Sequence, residues 1–299
     1  MRATLDRGLP VRLARFVRGS HPPVPSLAFA VLWAYGVTGL FAALDPGAPP
    51  WRPGAGTAVA AATVFVDLML MRALDDVRDL DYDRRFNPGR PLASGAVRTG
   101  DLAVLCVAGA AVLLLLNAAR PWRAGILLAQ LGYAAGAIAV HRRWGRPSAD
   151  DLFRSLLVSL PAPVLLHLYL YAGYLDASGG EPGVHGAVAV VVAVLAAGHA
   201  EFAGKLTRRP RAGERTYVTT LGVKGTAALA LTLPVLSAAV LVACSQAPAG
   251  WTLVALAPLA VPAAAARSFA RGRTRWPSAA PGAYLLLCFA SYLVLGLTR

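Results

Sequence analysis

The chain has 299 residues, 57% of them hydrophobic and 15% charged, with a mean hydropathy of +0.55. Soluble domains average about a quarter charged residues, so a soluble domain and a disordered chain are both excluded by composition. The net charge of +14 is divided into short basic clusters between apolar runs, which is the pattern of membrane-helix edges and not of a nucleic-acid surface.

The N-terminal segment, 1–24, carries Arg2, Arg7, Arg12, Arg15 and Arg18 with Pro22 and Pro23. Lacking the continuous apolar stretch of a signal peptide, it reads as a basic segment at the cytoplasmic surface. Apolar stretches then recur at 27–44, 57–74, 102–119, 124–140, 156–175, 186–203, 225–244, 252–266 and 282–297. Each approaches the length of about 20 residues that crosses a hydrocarbon core. The eighth is short and holds Pro258 and Pro262, which are tolerated where neighbouring helices cover the freed carbonyls. The expected fold is all-α, a multi-pass transmembrane helical bundle of about nine helices, with 25–299 as one transmembrane domain.

Basic residues sort the loops into two sides. One side holds 24 of the 29, and the other only Arg52, Arg120, Arg123 and Arg299, with Arg72 inside a span. Cytoplasmic loops retain the excess of Arg and Lys, so the N-terminus is expected in the cytoplasm of a plasma-membrane protein. Cys106, Cys244 and Cys288 are far apart in apolar surroundings and read as packing residues. The five histidines show no metal spacing, and no phosphate-binding glycine loop, Rossmann fingerprint or H-E-x-x-H pair occurs in a suitable setting. Phe65, Tyr169 and Tyr171 are candidates to line an apolar channel.

Five of the 15 acids, Asp75, Asp76, Asp79, Asp81 and Asp83, crowd the cytoplasmic end of the second span. On a helix continuing past Leu74, about 100° per residue puts Asp76, Asp79 and Asp83 on one face, Asp75 at its edge and Asp81 elsewhere. Two readings follow. Converging carboxylates with room for water suit Mg²⁺ shared with a diphosphate; alternatively Arg78, Arg84 and Arg85 neutralise a solvated helix end. Arg72 joins the carboxylate face one turn deeper, where its plain role is a pair with Asp76. Asp67 faces away and requires a buried partner such as His199 or a hydroxyl. Arg142 and Arg143 end the fourth span and either extend a phosphate-binding rim or mark topology.

The stretch LDDVRDLDYDRRFNPGRPLASG, 74–95, resembles the first aspartate-rich motif of the UbiA superfamily of intramembrane prenyltransferases, roughly N-D-x-x-D-x-x-x-D followed by R-P-L-x-S-G. Asp76, Asp79 and Asp83 match the spaced aspartates, Asp75 replaces the asparagine, and Arg90 to Gly95 match the trailing element. After the sixth span, GHAEFAGKLTRRPRAGERTYVTTLG, 198–222, resembles the second motif in part. Glu201 and Lys205 stand where the family's D-x-x-x-D has two acids, and Thr216-Tyr217 to Leu221-Gly222 resembles the segment that follows. An i to i+4 ion pair is the alternative role for Glu201 and Lys205.

The resemblance implies nine transmembrane helices and Mg²⁺-dependent transfer of a prenyl group from its diphosphate to a lipophilic acceptor, aromatic or quinone-like, in the membrane lipid. It implies Asp76, Asp79 and Asp83 as catalytic, these with Asp75 as metal ligands, and Arg90 and Lys205 on the diphosphate, with Arg72 and Arg142 as further candidates there. Some members instead cyclise terpenes or transfer phosphoribosyl groups. A secondary transporter is the non-enzyme alternative, disfavoured because the acids sit at a helix end and no inverted repeat is evident.

Overall fold

The computed structural model describes residues 8–47, 50–145, 151–245 and 249–299; Arg2 and Arg7 of the expected basic segment lie outside them. Every regular element among these residues is helical, and β pairing is limited to one bridge between Thr207 and Arg275. Nine helical segments among them are long and apolar enough to cross a membrane, so the fold is all-α and multi-pass.

An amphipathic helix α1 (Leu9–Ser20) precedes the first span, α2 (Pro23–Leu44). The second span is α3 (Ala55–Arg78), followed by the short α4 (Leu80–Phe86); α5 (Thr99–Leu116) and α6 (Pro121–Trp144) form the third and fourth. The fifth span is divided before Pro161 into α7 (Leu152–Ser159) and α8 (Pro161–Ser178), because the proline has no N–H to continue the helical bonding, although Leu160 itself keeps helical angles. Then come α9 (Val184–Gly204) and α10 (Val218–Cys244). The eighth span runs longer than expected, over Gly250–Ala270. Around Pro258 it passes from α11 (Ala249–Leu256) through a 3₁₀ turn (Ala257–Leu259) into α12 (Ala260–Ala270), and α13 (Ala280–Leu297) closes the series.

The helices gather into two compact units. The first comprises the described residues up to Val31 with Ala58–Leu166, and the second Leu32–Thr57 with His167–Arg299.

In the first unit, Phe16 of α1 is fully buried in a cluster with Ala73, Leu92, Val97 and Leu102. A bidentate pair pins the same helix, Arg12 Nε and Nη2 donating to Asp101 at 2.8 and 2.7 Å. Asp67 is fully buried and accepts from Gln130 Nε2 at 3.0 Å. The expected partner, His199, lies in the second unit, where its ring serves another need.

That need arises in α10. Pro234 has no N–H for the carbonyl of Ala230, and His199 Nδ1 donates to that oxygen at 2.5 Å, as an apolar surrounding demands. The His199 ring also meets Tyr284 edge-on, centroids 4.7 Å apart. Within this unit small residues bring α2 and α13 together: a Cβ on Gly39 would lie 2.7 Å from the Tyr292 carbonyl oxygen, and one on Gly296 2.5 Å from Gly39 Cα. Such close backbone approach is how helices associate in lipid, where hydrophobic exclusion does not operate between them.

Candidate active site

The acids occupy the α3–α4 junction. The run is not one regular helix: Asp79 interrupts it at φ −96°, ψ 12°. Backbone bonds still cross the break, Asp79 N donating to Asp75 O and Asp83 N to Asp79 O, both at 2.8 Å. After α4, Asn87 Nδ2 donates to Asp83 Oδ1 at 2.8 Å, and the chain folds into a compact turn over Arg90–Val97. Ser94 N donates to Arg90 O at 2.8 Å and Val97 N to Pro91 O at 3.2 Å, with Gly95 at φ +76° where a side chain would be strained. Leu92 and Val97 anchor this turn in the Phe16 cluster.

The anchored turn delivers Arg90 to the acids. Its Nη1 lies 2.5 Å from Asp83 Oδ2 and 3.6 Å from Asp76 Oδ1. Arg72 Nη2 reaches Asp76 Oδ1 at 2.9 Å from one turn deeper. Side-chain exposure then separates the five aspartates: 1% for Asp76, 3% for Asp83, 24% for Asp79, 51% for Asp75 and 97% for Asp81. Asp76 and Asp83 are thus sealed carboxylates compensated by Arg72 and Arg90, and removing Arg90 takes the cation from buried Asp83 while Asp76 keeps Arg72. Asp79 does not join them on Arg90. The break turns it toward Arg78, whose Nη2 lies 3.3 Å from Asp79 and 3.0 Å from Asp75. Asp81 pairs with Arg84 in the open, at 3.2 Å. Arg142 is exposed at the end of α6 and enters no ion pair among the described residues.

Three residues of this neighbourhood carry no motif and escape sequence reading. Ser20, last in α1, donates from Oγ to Asp76 Oδ2 at 2.9 Å, and Arg12 with Asp101 holds α1 in place. The amphipathic pattern of 9–20 was the available signal.

In the second unit Glu201, Lys205 and Tyr217 converge. Lys205 Nζ lies 2.5 Å from Glu201 Oε1, the phenol of Tyr217 donates to the same oxygen at 2.7 Å, and Nζ sits 5.3 Å from the centre of the Tyr217 ring. The ion pair expected from the i, i+4 spacing therefore forms. Burial, and then the bond to Glu201, push the Tyr217 phenol far above its usual range, so it remains a donor. The intervening loop is fastened to residues 274–276 by Arg208 N to Thr274 O at 2.7 Å and Trp276 N to Leu206 O at 3.1 Å. Arg275 reaches Glu214 at 2.7 Å; burial opposes ionisation of Glu214, but the bonds from Arg275 and from Arg211 N outweigh it and hold the carboxyl below its ordinary value.

Of the candidate channel aromatics, Tyr169 is fully buried. Tyr171 is engaged structurally, its oxygen accepting from Gly183 N at 2.9 Å and meeting His185 Nε2 at 3.3 Å. Phe65 packs on the His21 ring at 5.0 Å. Burial first, and then the charge of Arg72, lower the His21 pKa despite a backbone bond at Phe65.

Among the described residues no three His, Cys, Asp or Glu side chains converge closely enough to cage an ion unaided. The donor chemistry nonetheless fits Mg²⁺. The acids offer only hard carboxylate oxygens, and Asp76 Oδ1 is buried and accepts no hydrogen bond, being held by ion pairing alone. Asp75 and Asp79 stand partly open beside it, and Mg²⁺ takes one or two carboxylates while retaining water and phosphate oxygens.

No protein-family model and no curated protein matches the chain. Solved structures do. A UbiA homolog from Aeropyrum pernix K1, in its apo state, has 20% sequence identity and a TM-score of 0.62 over 92% of this chain and 98% of that one. A UbiA homolog from Archaeoglobus fulgidus bound to GPP and Mg²⁺ has 17% identity and a TM-score of 0.57 over 95% of this chain and 100% of that one. Digeranylgeranylglyceryl phosphate synthase has 10% identity and a TM-score of 0.54 over 96% of this chain and 99% of that one. The chain has the fold of the UbiA homologues, along nearly its whole length.

Proposed function

We propose that the chain is a UbiA-type intramembrane prenyltransferase that ionises a prenyl diphosphate and transfers the prenyl group to an aromatic or quinone-like acceptor. The observation that carries this reading is the pair of sealed carboxylates, Asp76 and Asp83, bound to Arg72 and Arg90 at the end of a membrane span. A merely solvated acidic helix end would not bury its carboxylates. The fold shared with a homologue bound to GPP and Mg²⁺ adds support.

Asp76, Asp79, Asp83 and Asp75 would hold Mg²⁺, which when bound supplies Lewis-acid neutralisation of the departing diphosphate. Arg90 and Arg72 present guanidinium donors to diphosphate oxygens, and Arg142 extends the basic rim. Lys205 adds a point charge oriented by Glu201 and Tyr217. The allylic C–O bond breaks with its electron pair on the diphosphate oxygen; an electron-rich carbon or oxygen of the acceptor then bonds to the cation and loses its proton. Apolar spans exclude the water that would otherwise capture the cation. The excess of basic residues in alternate loops supports a cytoplasmic side for this chemistry in a plasma-membrane protein, with residues 25–299 read as one transmembrane domain.

Purified protein supplied with labelled geranyl or farnesyl diphosphate and a panel of aromatic and quinone-precursor acceptors tests the reading. A prenylated acceptor formed with release of diphosphate is the expected product. Intact substrate across the whole panel overturns it.

A further inference from the structure

Asp76 has two oxygens in different surroundings: Oδ1 faces Arg72 and Arg90, while Oδ2 takes the hydroxyl of Ser20 at 2.9 Å. Ser20 closes α1, and this helix touches both parts of the aspartate site. Phe16 packs against Ala73 of α3 and against Leu92 and Val97 of the turn that carries Arg90. Gly19 abuts the same turn so closely that a Cβ there would lie 2.7 Å from Pro91 Cγ. Arg12 fastens the helix to Asp101. The strap thus spans the two elements whose separation sets the distance from Arg90 to Asp76.

We propose that Ser20 is a positioning residue for the diphosphate and metal site: by holding Oδ2, it fixes the Asp76 carboxylate so that Oδ1 is presented to the ligand. The inference rests on the prenyltransferase reading. Partners of ligating carboxylates orient them, and their loss typically costs 10- to 100-fold in metal affinity or activity.

Mn²⁺ serves as the probe, its binding to the purified full chain followed by electron paramagnetic resonance alongside turnover and thermal stability. Ser20→Ala is expected to weaken Mn²⁺ binding about 10-fold and to raise the metal concentration for half-maximal turnover equally. The unfolding midpoint should shift by no more than about 2–4 °C, as for one hydrogen bond in a chain of this size, with the acceptor KM unchanged. Ser20→Thr, which keeps the hydroxyl, should restore the affinity. Gly19→Ala, which pushes α1 off Pro91, should weaken binding while leaving Ser20 intact, and replaces Ser20→Ala if that variant does not fold. Wild-type affinity in Ser20→Ala, or in Gly19→Ala where that replaces it, overturns this inference alone; so does failure of Ser20→Thr to restore it. Absence of both Mn²⁺ binding and turnover in the wild type overturns the prenyltransferase reading as well.

Discussion

Arg90 Nη1 lies 2.5 Å from Asp83 Oδ2, joining a turn to the helix seven residues before it, and the Asp83 side chain is only 3% exposed. The carboxylate is therefore held in a charge-assisted bond where water screens it little. That relationship, with Arg90 also 3.6 Å from Asp76, separates the two sealed carboxylates from the three more open ones.

Asp76→Ala, Asp83→Ala and Asp79→Ala are expected to lower kcat/KM for the prenyl diphosphate at least about 100-fold, equivalent to about 2.7 kcal/mol of transition-state stabilisation. Asp81→Ala should stay within about 2-fold, because its pair with Arg84 is solvent-exposed. Steady-state turnover of labelled substrate by each folded variant checks the ranking, and equal loss at Asp81 contradicts it.

Lys205→Ala should raise the KM for the diphosphate by about 10-fold, corresponding to one charge-assisted contact of about 1.4 kcal/mol. An unchanged KM with a lowered unfolding midpoint would reduce Lys205 to its pair with Glu201.

The buried Asp67–Gln130 bond makes a prediction about stability alone. Asp67→Leu and Gln130→Leu each strand one polar partner away from water and should cost about 1–3 kcal/mol, while the double variant costs less than the sum. A thermal unfolding cycle of the four proteins measures this; strict additivity would mean that the 3.0 Å bond contributes no coupling.

The loop carrying Glu214 should respond to acid. Its folded pKa is held below the ordinary glutamate value, by Arg275 and by Arg211 N against burial, so it contributes stability that is present above the unfolded pKa and lost as pH falls through the folded one. Protease sensitivity of this loop should rise on acidification below the ordinary glutamate range in the wild type. In Glu214→Gln it should be nearly flat across the same range, and a wild-type-like acid response in that variant contradicts the assignment.

Much of the fold is legible because the bilayer constrains it locally: apolar length sets each span, and Pro258 marks the interruption of the eighth. The aspartate cluster is legible for the same reason, its residues lying within one stretch of chain. What could not be read is pairing across distance. Helical periodicity assigns Asp67 a face but not the residue opposite it, and Gln130 is 63 positions away. His199 is claimed by a carbonyl that Pro234 frees on another helix. The bond from Ser20 to Asp76 spans 56 positions, and α1 carries no motif to announce it. The interruption at Asp79, which turns that residue toward Arg78, has no proline or glycine to signal it.

The most direct test is release of diphosphate from labelled geranyl or farnesyl diphosphate by purified wild-type and Asp76→Ala protein across a Mg²⁺ titration. Saturable Mg²⁺-dependent release by the wild type, abolished in the folded variant, is the predicted result. Release that ignores Mg²⁺, or that survives intact in Asp76→Ala, would contradict the account.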